Sequence, residues 1–293
     1  MAIKIEQVGT TKDKLGEGPL WDAQEQALYW IDSISRVIHR LDPATGEVQH
    51  WGVPAVIGSM ALREGGSAVV ALQTGLHFLD LATGECELVV DPEADMPRTR
   101  FNDGKVDRQG RFVVGTMVAR DPRDEPLGSL YRLNADCSLD KLDTGILISN
   151  GPCFSPDGGT LYFTDSRTGV IYAYEYDQSS GAVGTRRDFI RVAEMTGSAG
   201  DGATVDSEGN FWTALVRNSQ IGKFDPSGKL LETIVMPCAL PSSVMFGGPD
   251  LDALYVTSIS DSLNRQSHGK LDGGLFRITG LGVAGIAEPR FAG

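Results

Sequence analysis

The chain has 293 residues, a formal net charge of −13 and a hydrophobic share of 41%. So acidic a chain lacks the basic surface that attracts nucleic acids and anionic membranes, and we exclude both as partners. We also find no segment apolar and long enough for a signal peptide or a membrane span. Four scattered cysteines have no zinc-ligand spacing, so we expect reduced thiols in a cytoplasmic protein.

A short motif recurs six times along the chain: one polar residue, a small turn and then apolar residues. The polar residues that open the motif, here called the lead residues, are Glu17, Ser59, Asn102, Asn150, Asp201 and Ser242. They lie 42, 43, 48, 51 and 41 positions apart. A period of this size is typical of a propeller in which each repeat forms one four-stranded blade.

A short apolar segment follows each lead residue by about ten positions, after a turn rich in Asp, Ser and Gly. These second segments are 28–31, 68–71, 111–114, 161–164, 211–214 and 254–257. A third segment in each repeat alternates apolar and polar residues, as half-buried antiparallel strands do. The sequence therefore predicts an all-β, six-bladed propeller that forms one domain over residues 1–293.

The segment Ile3–Val8 precedes the first repeat and belongs to none of them. We predict that it joins the last blade as its outer strand, because a propeller must close its ring or leave exposed edges. Two further segments, 119–127 and 258–274, lengthen the third and sixth repeats. Long loops on a rigid frame often carry binding groups, so we expect both near the channel mouth.

If each lead residue opens the innermost strand of its blade, all six face one central channel. Glu17 and Asp201 then supply two carboxylates, and Asn102 and Asn150 supply amide oxygens. Hard divalent cations prefer such oxygen ligands, and without a cation the two carboxylates would repel each other and raise at least one pKa. The alternative is that each residue only caps a strand end by bonding backbone amides. That explains each residue singly but not four such residues in six equivalent places.

Other chemistries find little support in the sequence. None of the four histidines is a lead residue and Gly-x-Ser-x-Gly is absent, which disfavours a Ser-His-Asp triad. No phosphate-cradling glycine loop is present. Arg100 lies two residues before Asn102 and either points into solvent or holds an anionic or hydroxyl-rich substrate.

Several segments resemble the regucalcin / gluconolactonase (senescence marker protein) family over nearly the whole chain. They include Leu15-Gly16-Glu17-Gly18-Pro19, Arg100-Phe101-Asn102-Asp103-Gly104-Lys105 and Ser149-Asn150-Gly151-Pro152. The resemblance implies a six-bladed propeller that hydrolyses sugar lactones with one divalent metal ion (calcium, zinc, manganese or magnesium). It places the metal ligands at Glu17, Asn150 and Asp201, and the substrate-binding residues at Arg100 and Asn102.

One position departs from that family. Its members carry a substrate-contacting Glu a few residues after Gly-Thr-Met, and the aligned residue in this chain is Arg120. Our hypothesis is that Arg120, with Arg100, favours a lactone that carries an extra carboxylate, such as an aldaric acid lactone. The alternative is that Arg120 points into solvent from a variable loop.

We therefore expect a metal-dependent hydrolase whose partner is a small-molecule sugar lactone. The metal would act as Lewis acid, and Asp201 would take a proton from the attacking water as general base. Two alternatives stay open at this point: a related hydrolase of organophosphate esters, and a non-catalytic propeller that binds calcium or other proteins.

Overall fold

The computed structural model describes residues 2–121, 124–262 and 264–293. Within them the chain forms six antiparallel sheets of four strands each. The innermost strand of each sheet packs against those of its two neighbours, and the first blade packs against the sixth. The prediction of a six-bladed propeller is confirmed. One short helix, α1 (Val192–Thr196), lies between the fourth and fifth blades, and no helix of the described segments is long and apolar enough to cross a membrane.

The chain begins with β1 (Lys4–Val8) and then builds the first three blades in order, each from the innermost strand outward. Blade one contains β2 (Gly16–Asp22), β3 (Ala27–Asp32), β4 (Val37–Leu41) and β5 (Val48–Gly52). Blade two contains β6 (Ile57–Arg63), β7 (Ser67–Leu72), β8 (Gly75–Asp80) and β9 (Cys86–Val90). Blade three contains β10 (Thr99–Val106), β11 (Phe112–Val118), β12 (Gly128–Leu133) and β13 (Leu139–Ile146).

The remaining three blades follow the same plan. Blade four contains β14 (Ser149–Phe154), β15 (Thr160–Asp165), β16 (Val170–Glu175) and β17 (Arg187–Ile190). Blade five contains β18 (Gly200–Val205), β19 (Phe211–Leu215), β20 (Gln220–Phe224) and β21 (Leu230–Val235). Blade six contributes β22 (Pro241–Gly247), β23 (Ala253–Ser258) and β24 (Leu275–Thr279).

The first strand of the chain completes the last blade, as predicted. β1 runs antiparallel to β24, with Lys4 opposite Thr279 and Val8 opposite Leu275. Glu6 and Arg277 form a salt bridge of 3.0 Å across this pair. The ring therefore closes through backbone hydrogen bonds between the two ends of the chain, and the edge that β24 would otherwise expose is covered.

Hydrophobic residues fill the spaces between neighbouring blades. Successive side chains of a strand point to opposite faces of its sheet, so a strand between two blades contributes to two cores. In β7, Val70 packs toward blade one, whereas Val69 and Ala71 pack toward blade three. Aromatic pairs bridge other blades: Trp21 stacks on Tyr255 with ring centroids 5.9 Å apart. This double burial explains why the second strands read as continuous apolar segments.

The two segments that lengthen the repeats are only partly within the described residues. In 119–127, Pro122 and Arg123 lie outside them, and in 258–274 Leu263 does. The described part of 258–274 is largely irregular and returns to the blade at β24. All four cysteines are free.

The last residues of the chain, 280–293, are here called the C-terminal strap. The strap crosses the end of the channel opposite the lead residues, since it contacts the hairpins that follow the innermost strands. The N–H of Ser207 donates to the carbonyl oxygen of Ala284 at 2.9 Å, and that of Ala292 donates to Gly110 at 2.8 Å. Phe291 is 1% exposed and packs in the core shared by blades two and three. The strap thereby links hairpins of several blades.

We expect Phe291→Ala to lower the free energy of unfolding by roughly 3 kcal/mol, because it removes a buried aromatic side chain and leaves a cavity. Urea denaturation followed by circular dichroism measures the change. Leu231→Ala is the control, because Leu231 is 49% exposed on β21 and its loss should change stability by less than about 0.5 kcal/mol. A Phe291→Ala variant as stable as this control would show that the strap does not stabilise the ring.

Candidate functional site

Each innermost strand is irregular beside its lead residue. The pairing of β2 with β3 shifts register between Glu17 and Leu20, and that of β14 with β15 shifts between Asn150 and Cys153. Such a bulge bends the strand locally and re-aims the side chain beside it. The glycines that follow, Gly18 and Gly151, both have a φ of +52°, a conformation that residues with a Cβ rarely adopt. In blades one and four, the lead-Gly pair is therefore the local signal for the bulge.

The bulges bring most of the predicted site residues to one cavity. Glu17, Asn102, Asn150 and Asp201 line it together with Arg100, and its volume is about 360 Å³. The two serine lead residues have another role. The hydroxyl of Ser59 donates to the carbonyl oxygen of Asn102 at 2.8 Å, and that of Ser242 donates to the carbonyl oxygen of Gly16. These serines connect neighbouring innermost strands.

The two carboxylates of the cavity lie in an unfavourable electrostatic environment. Burial away from water raises the pKa of Glu17 well above its usual value, and the negative charges of Asp201 and Asp103 raise it further. Burial also raises the pKa of Asp201 to about 7, with an opposing effect from the positive charge of Arg265. Asp201 is 7% exposed. The repulsion between carboxylates expected from the sequence is therefore present at Glu17.

A third carboxylate, Asp103, is buried near these two and accepts a backbone hydrogen bond at each oxygen. One of its oxygens accepts the N–H of Gly104 and the other accepts the N–H of Gly151, each at 2.8 Å. Burial raises the pKa of Asp103 as well. Asp103 therefore supports the bulge at Gly151, and its negative charge acts on Glu17 and Asp201 although it does not line the cavity.

A chain of hydrogen bonds joins the amide residues. Nη1 of Arg100 donates to Oδ1 of Asn102 at 2.9 Å, and Nδ2 of Asn102 donates to Oδ1 of Asn150 at 2.9 Å. Nδ2 of Asn102 also donates to the carbonyl oxygen of Ser149, and Nδ2 of Asn150 donates to the hydroxyl of Ser166 at 2.8 Å. Because both hydrogens of Nδ2 are used, the side chain of Asn102 orients Asn150 instead of presenting a donor to the cavity.

The structure places Arg120 outside the cavity that the other predicted site residues line. Arg120 is exposed and lines a neighbouring cavity of about 270 Å³ between blades two and three. Arg100 lines both cavities, so it is the connection between them. The sequence alignment of Arg120 with a substrate-contacting position does not show this separation, because the path of a long loop depends on its tertiary contacts.

Several lining residues were not predicted individually. Ser166 follows β15, Arg167 and Arg217 lie in hairpin turns, and Arg265 lies in the segment 258–274 that we expected near the mouth. A sequence signal for two of them exists. Arg167 and Arg217 follow the lead residues Asn150 and Asp201 at nearly the same interval, so the repeat itself places them on the same side of the ring.

The donor set of the cavity fits a hard divalent cation. Two carboxylates with raised pKa values would be stabilised by a dication, and Oδ1 of Asn150 has one lone pair left after accepting from Asn102. The described parts of the chain contain no group of three or more His, Cys, Asp or Glu side chains arranged for a metal. Any metal here would therefore rely on Glu17 and Asp201 plus the amide of Asn150.

Known proteins resemble the chain along its length. The profile of the SMP-30/gluconolactonase/LRE-like region matches residues 15–260. The chain is 38% identical to regucalcin of Gallus gallus over 299 residues, which covers 100% of this chain and 99% of that protein. It is 37% identical to the 6-deoxy-6-sulfogluconolactonase of Pseudomonas putida, with 95% of each chain covered.

A solved structure shows the same fold. The regucalcin of Agrobacterium tumefaciens, described as a calcium-binding protein, superimposes with a TM-score of 0.89 at 28% identity. The superposition covers 97% of this chain and 96% of that one. The chain therefore belongs to the SMP-30/gluconolactonase/LRE-like family.

Proposed function

We propose that this protein hydrolyses a sugar lactone with the help of one divalent metal ion. The observation that carries the proposal is the convergence of Glu17, Asn150 and Asp201, from three different blades, on one open cavity. A relative of this chain is named as a lactonase that acts on a sulfonated gluconolactone, which supports the same reaction type. Free cysteines fit a reducing compartment, so we place the reaction in the cytoplasm.

Glu17, Asn150 and Asp201 would hold the metal. When bound, a divalent ion supplies Lewis-acid polarisation of a carbonyl oxygen. In the reaction, the oxygen of a water molecule attacks the carbonyl carbon of the lactone and the ring C–O bond breaks. Asp201 accepts a proton from the water and returns it to the departing ring oxygen, which becomes a hydroxyl. As an ionised carboxylate beside the water, Asp201 would be able to take up and return this proton.

Arg100 and Asn102 have different tasks in this proposal. Arg100 lines the cavity, and its Nη1 is fixed by the carbonyl oxygen of Phe101 at 2.7 Å and by Asn102. Its planar guanidinium is thereby oriented to contact hydroxyls of the substrate. Asn102 acts as a positioning residue, because its amide holds Oδ1 of Asn150 toward the site.

We expect Asp201→Asn to lower kcat for lactone hydrolysis by about a thousandfold, since general-base catalysis contributes roughly 10²–10⁴. Circular dichroism and thermal melting confirm that the fold is intact, and a pH-stat assay measures the rate. Asp250→Asn, at an exposed turn, is the matched control and should keep its activity. Near wild-type turnover in Asp201→Asn would contradict the assignment.

We expect metal binding to stabilise the EDTA-treated protein, and to do so more at pH 8 than at pH 5.5. Because the pKa of Asp201 is raised in the folded chain, its contribution to stability is complete below about pH 4 and is lost as pH rises through about 7. A cation offsets that loss, and protons compete with it at lower pH. Thermal shift measurements with calcium, magnesium, manganese and zinc provide the test.

The Asp201→Asn variant should lose most of this pH-dependent stabilisation. A pH-independent shift, or an equal shift in the variant, would exclude Asp201 as a ligand. Metal binding without hydrolysis of any lactone would instead favour a calcium-binding scaffold. Faster hydrolysis of a fluorophosphate than of any lactone, measured side by side, would favour the organophosphate alternative.

The hypothesis for Arg120 stays a prediction. Its cavity shares Arg100 with the candidate site, which supports a contact with a substrate long enough to reach both. On that hypothesis, Arg120→Ala lowers the ratio of kcat/KM for an aldarolactone to that for a neutral aldonolactone by about tenfold, the loss of one charge-assisted contact. An unchanged ratio would show that Arg120 does not select the substrate.

A further inference from the structure

The cavity at the channel mouth is surrounded by arginines. Four of them line it, namely Arg100, Arg167, Arg217 and Arg265, against two acidic residues, Glu17 and Asp201. The whole chain has the opposite balance, with 39 acidic and 26 basic residues. The mouth is therefore a local region of positive charge on an acidic protein, and such a region attracts anionic ligands.

These arginines form two pairs with different surroundings. Arg100 lowers the pKa of Glu17, and Arg265 lowers that of Asp201, so this pair balances the carboxylates of the floor. Arg167 and Arg217 are not among the main causes of either shift. In the described parts of the chain, neither of their guanidinium groups forms a hydrogen bond or a salt bridge. Both side chains are exposed at the cavity wall.

The positions of the second pair are set by the ring. Arg167 is the second residue of the turn 166–169 between β15 and β16, and Arg217 is the second residue of the turn 216–219 between β19 and β20. The equivalent residue in blade one is Ile34. Arg167 and Arg217 thus lie on neighbouring blades, the same two blades that carry Asn150 and Asp201.

Hydrogen bonds hold both turns against the site. Beside Arg167, the hydroxyl of Ser166 accepts from Nδ2 of Asn150 at 2.8 Å and donates to the carbonyl oxygen of Gly200 at 2.6 Å. The backbone N–H of Arg217 donates to the hydroxyl of Ser198 at 3.0 Å. The backbone at Arg167 and Arg217 is therefore held in place relative to Asn150 and to the strand that carries Asp201.

We propose that Arg167 and Arg217 form a subsite for a second anionic group of the substrate, a carboxylate or sulfonate on a carbon distant from the lactone carbonyl. The inference rests on the proposed lactonase function and adds the substrate class. Guanidinium groups match the planar carboxylate and the tetrahedral sulfonate through paired N–H donors. A neutral sugar lactone has no negative charge that could pair with these two guanidinium groups. The cavity volume of about 360 Å³ is within the range of small-molecule sites.

The test compares lactones that differ only in this charge. The 1,4-lactones of D-glucaric and D-gluconic acid form one matched pair, and the 1,5-lactones of 6-deoxy-6-sulfogluconic acid and gluconic acid form the other. For Arg167→Gln and Arg217→Gln, we expect KM for the charged lactone to rise about tenfold with kcat unchanged, because the contact is equal in ground and transition states. The neutral lactones should change less than about twofold.

The control variant is Arg187→Gln, because Arg187 is also exposed on blade four but lies on the outermost strand β17. For both pairs of lactones, this variant should leave unchanged the ratio of kcat/KM for the charged lactone to kcat/KM for the neutral one. Raising the salt concentration should lower kcat/KM for the charged lactones only, since screening weakens exposed charge pairs. The two matched pairs of lactones distinguish a carboxylate-specific site from a sulfonate-specific one.

The outcomes separate the inference from the function on which it rests. If no lactone is hydrolysed by the metal-loaded wild-type protein, the proposed function fails. A second outcome is that lactones are hydrolysed while the charged-to-neutral ratio of kcat/KM is unchanged in both Arg167→Gln and Arg217→Gln. In that case the subsite is refuted and the function stands. A ratio that falls only in Arg120→Ala would assign the anionic group to the neighbouring cavity and would also refute this proposal.

Discussion

Two carboxylates that repel each other at the centre of the ring are the constraint on which the site depends. Glu17 comes from blade one and Asp201 from blade five, and burial raises the pKa of both. Side chains in such a position would separate if the backbone allowed it. The bulges beside Glu17 and Asp201 and the closed ring fix the backbone from which these two side chains extend. The repulsion between Glu17 and Asp201 is thus unfavourable for folding and is confined to the centre of the ring, as is common at functional sites.

The architecture can be predicted from the sequence because each of the six repeats must meet the same structural requirements. Each repeat must supply an innermost strand that ends at the channel and a second strand buried on both faces. A polar residue before a small turn and an apolar segment about ten residues later are the direct signs of those demands. The same logic identified Ile3–Val8 as the closing strand, because a ring cannot leave β24 with an open edge.

The site could be predicted only in part. The period shows which strand ends share the channel, so Glu17, Asn150 and Asp201 were found together. It does not show hydrogen-bond partners, so the use of the amide nitrogen of Asn102 by Ser149 and Asn150 is visible only in the structure. Nor does it show where a long loop leads, as the location of Arg120 in a separate cavity illustrates. Those features depend on tertiary contacts that a repeat pattern does not contain.

The way in which the ring closes also affects how the protein is made. Glu6 and Arg277, which meet across the closing strand pair, lie 271 positions apart in the chain. Contacts of such long range form late, because the entropy of the large intervening loop opposes them. During synthesis, five blades emerge from the ribosome before the sixth is complete. The outer edge of β24 then stays unpaired until β1, the first strand made, pairs with it. A second copy of the chain carries the same strand, so exchange of N-terminal segments between copies is the folding error to which this way of closing the ring is open.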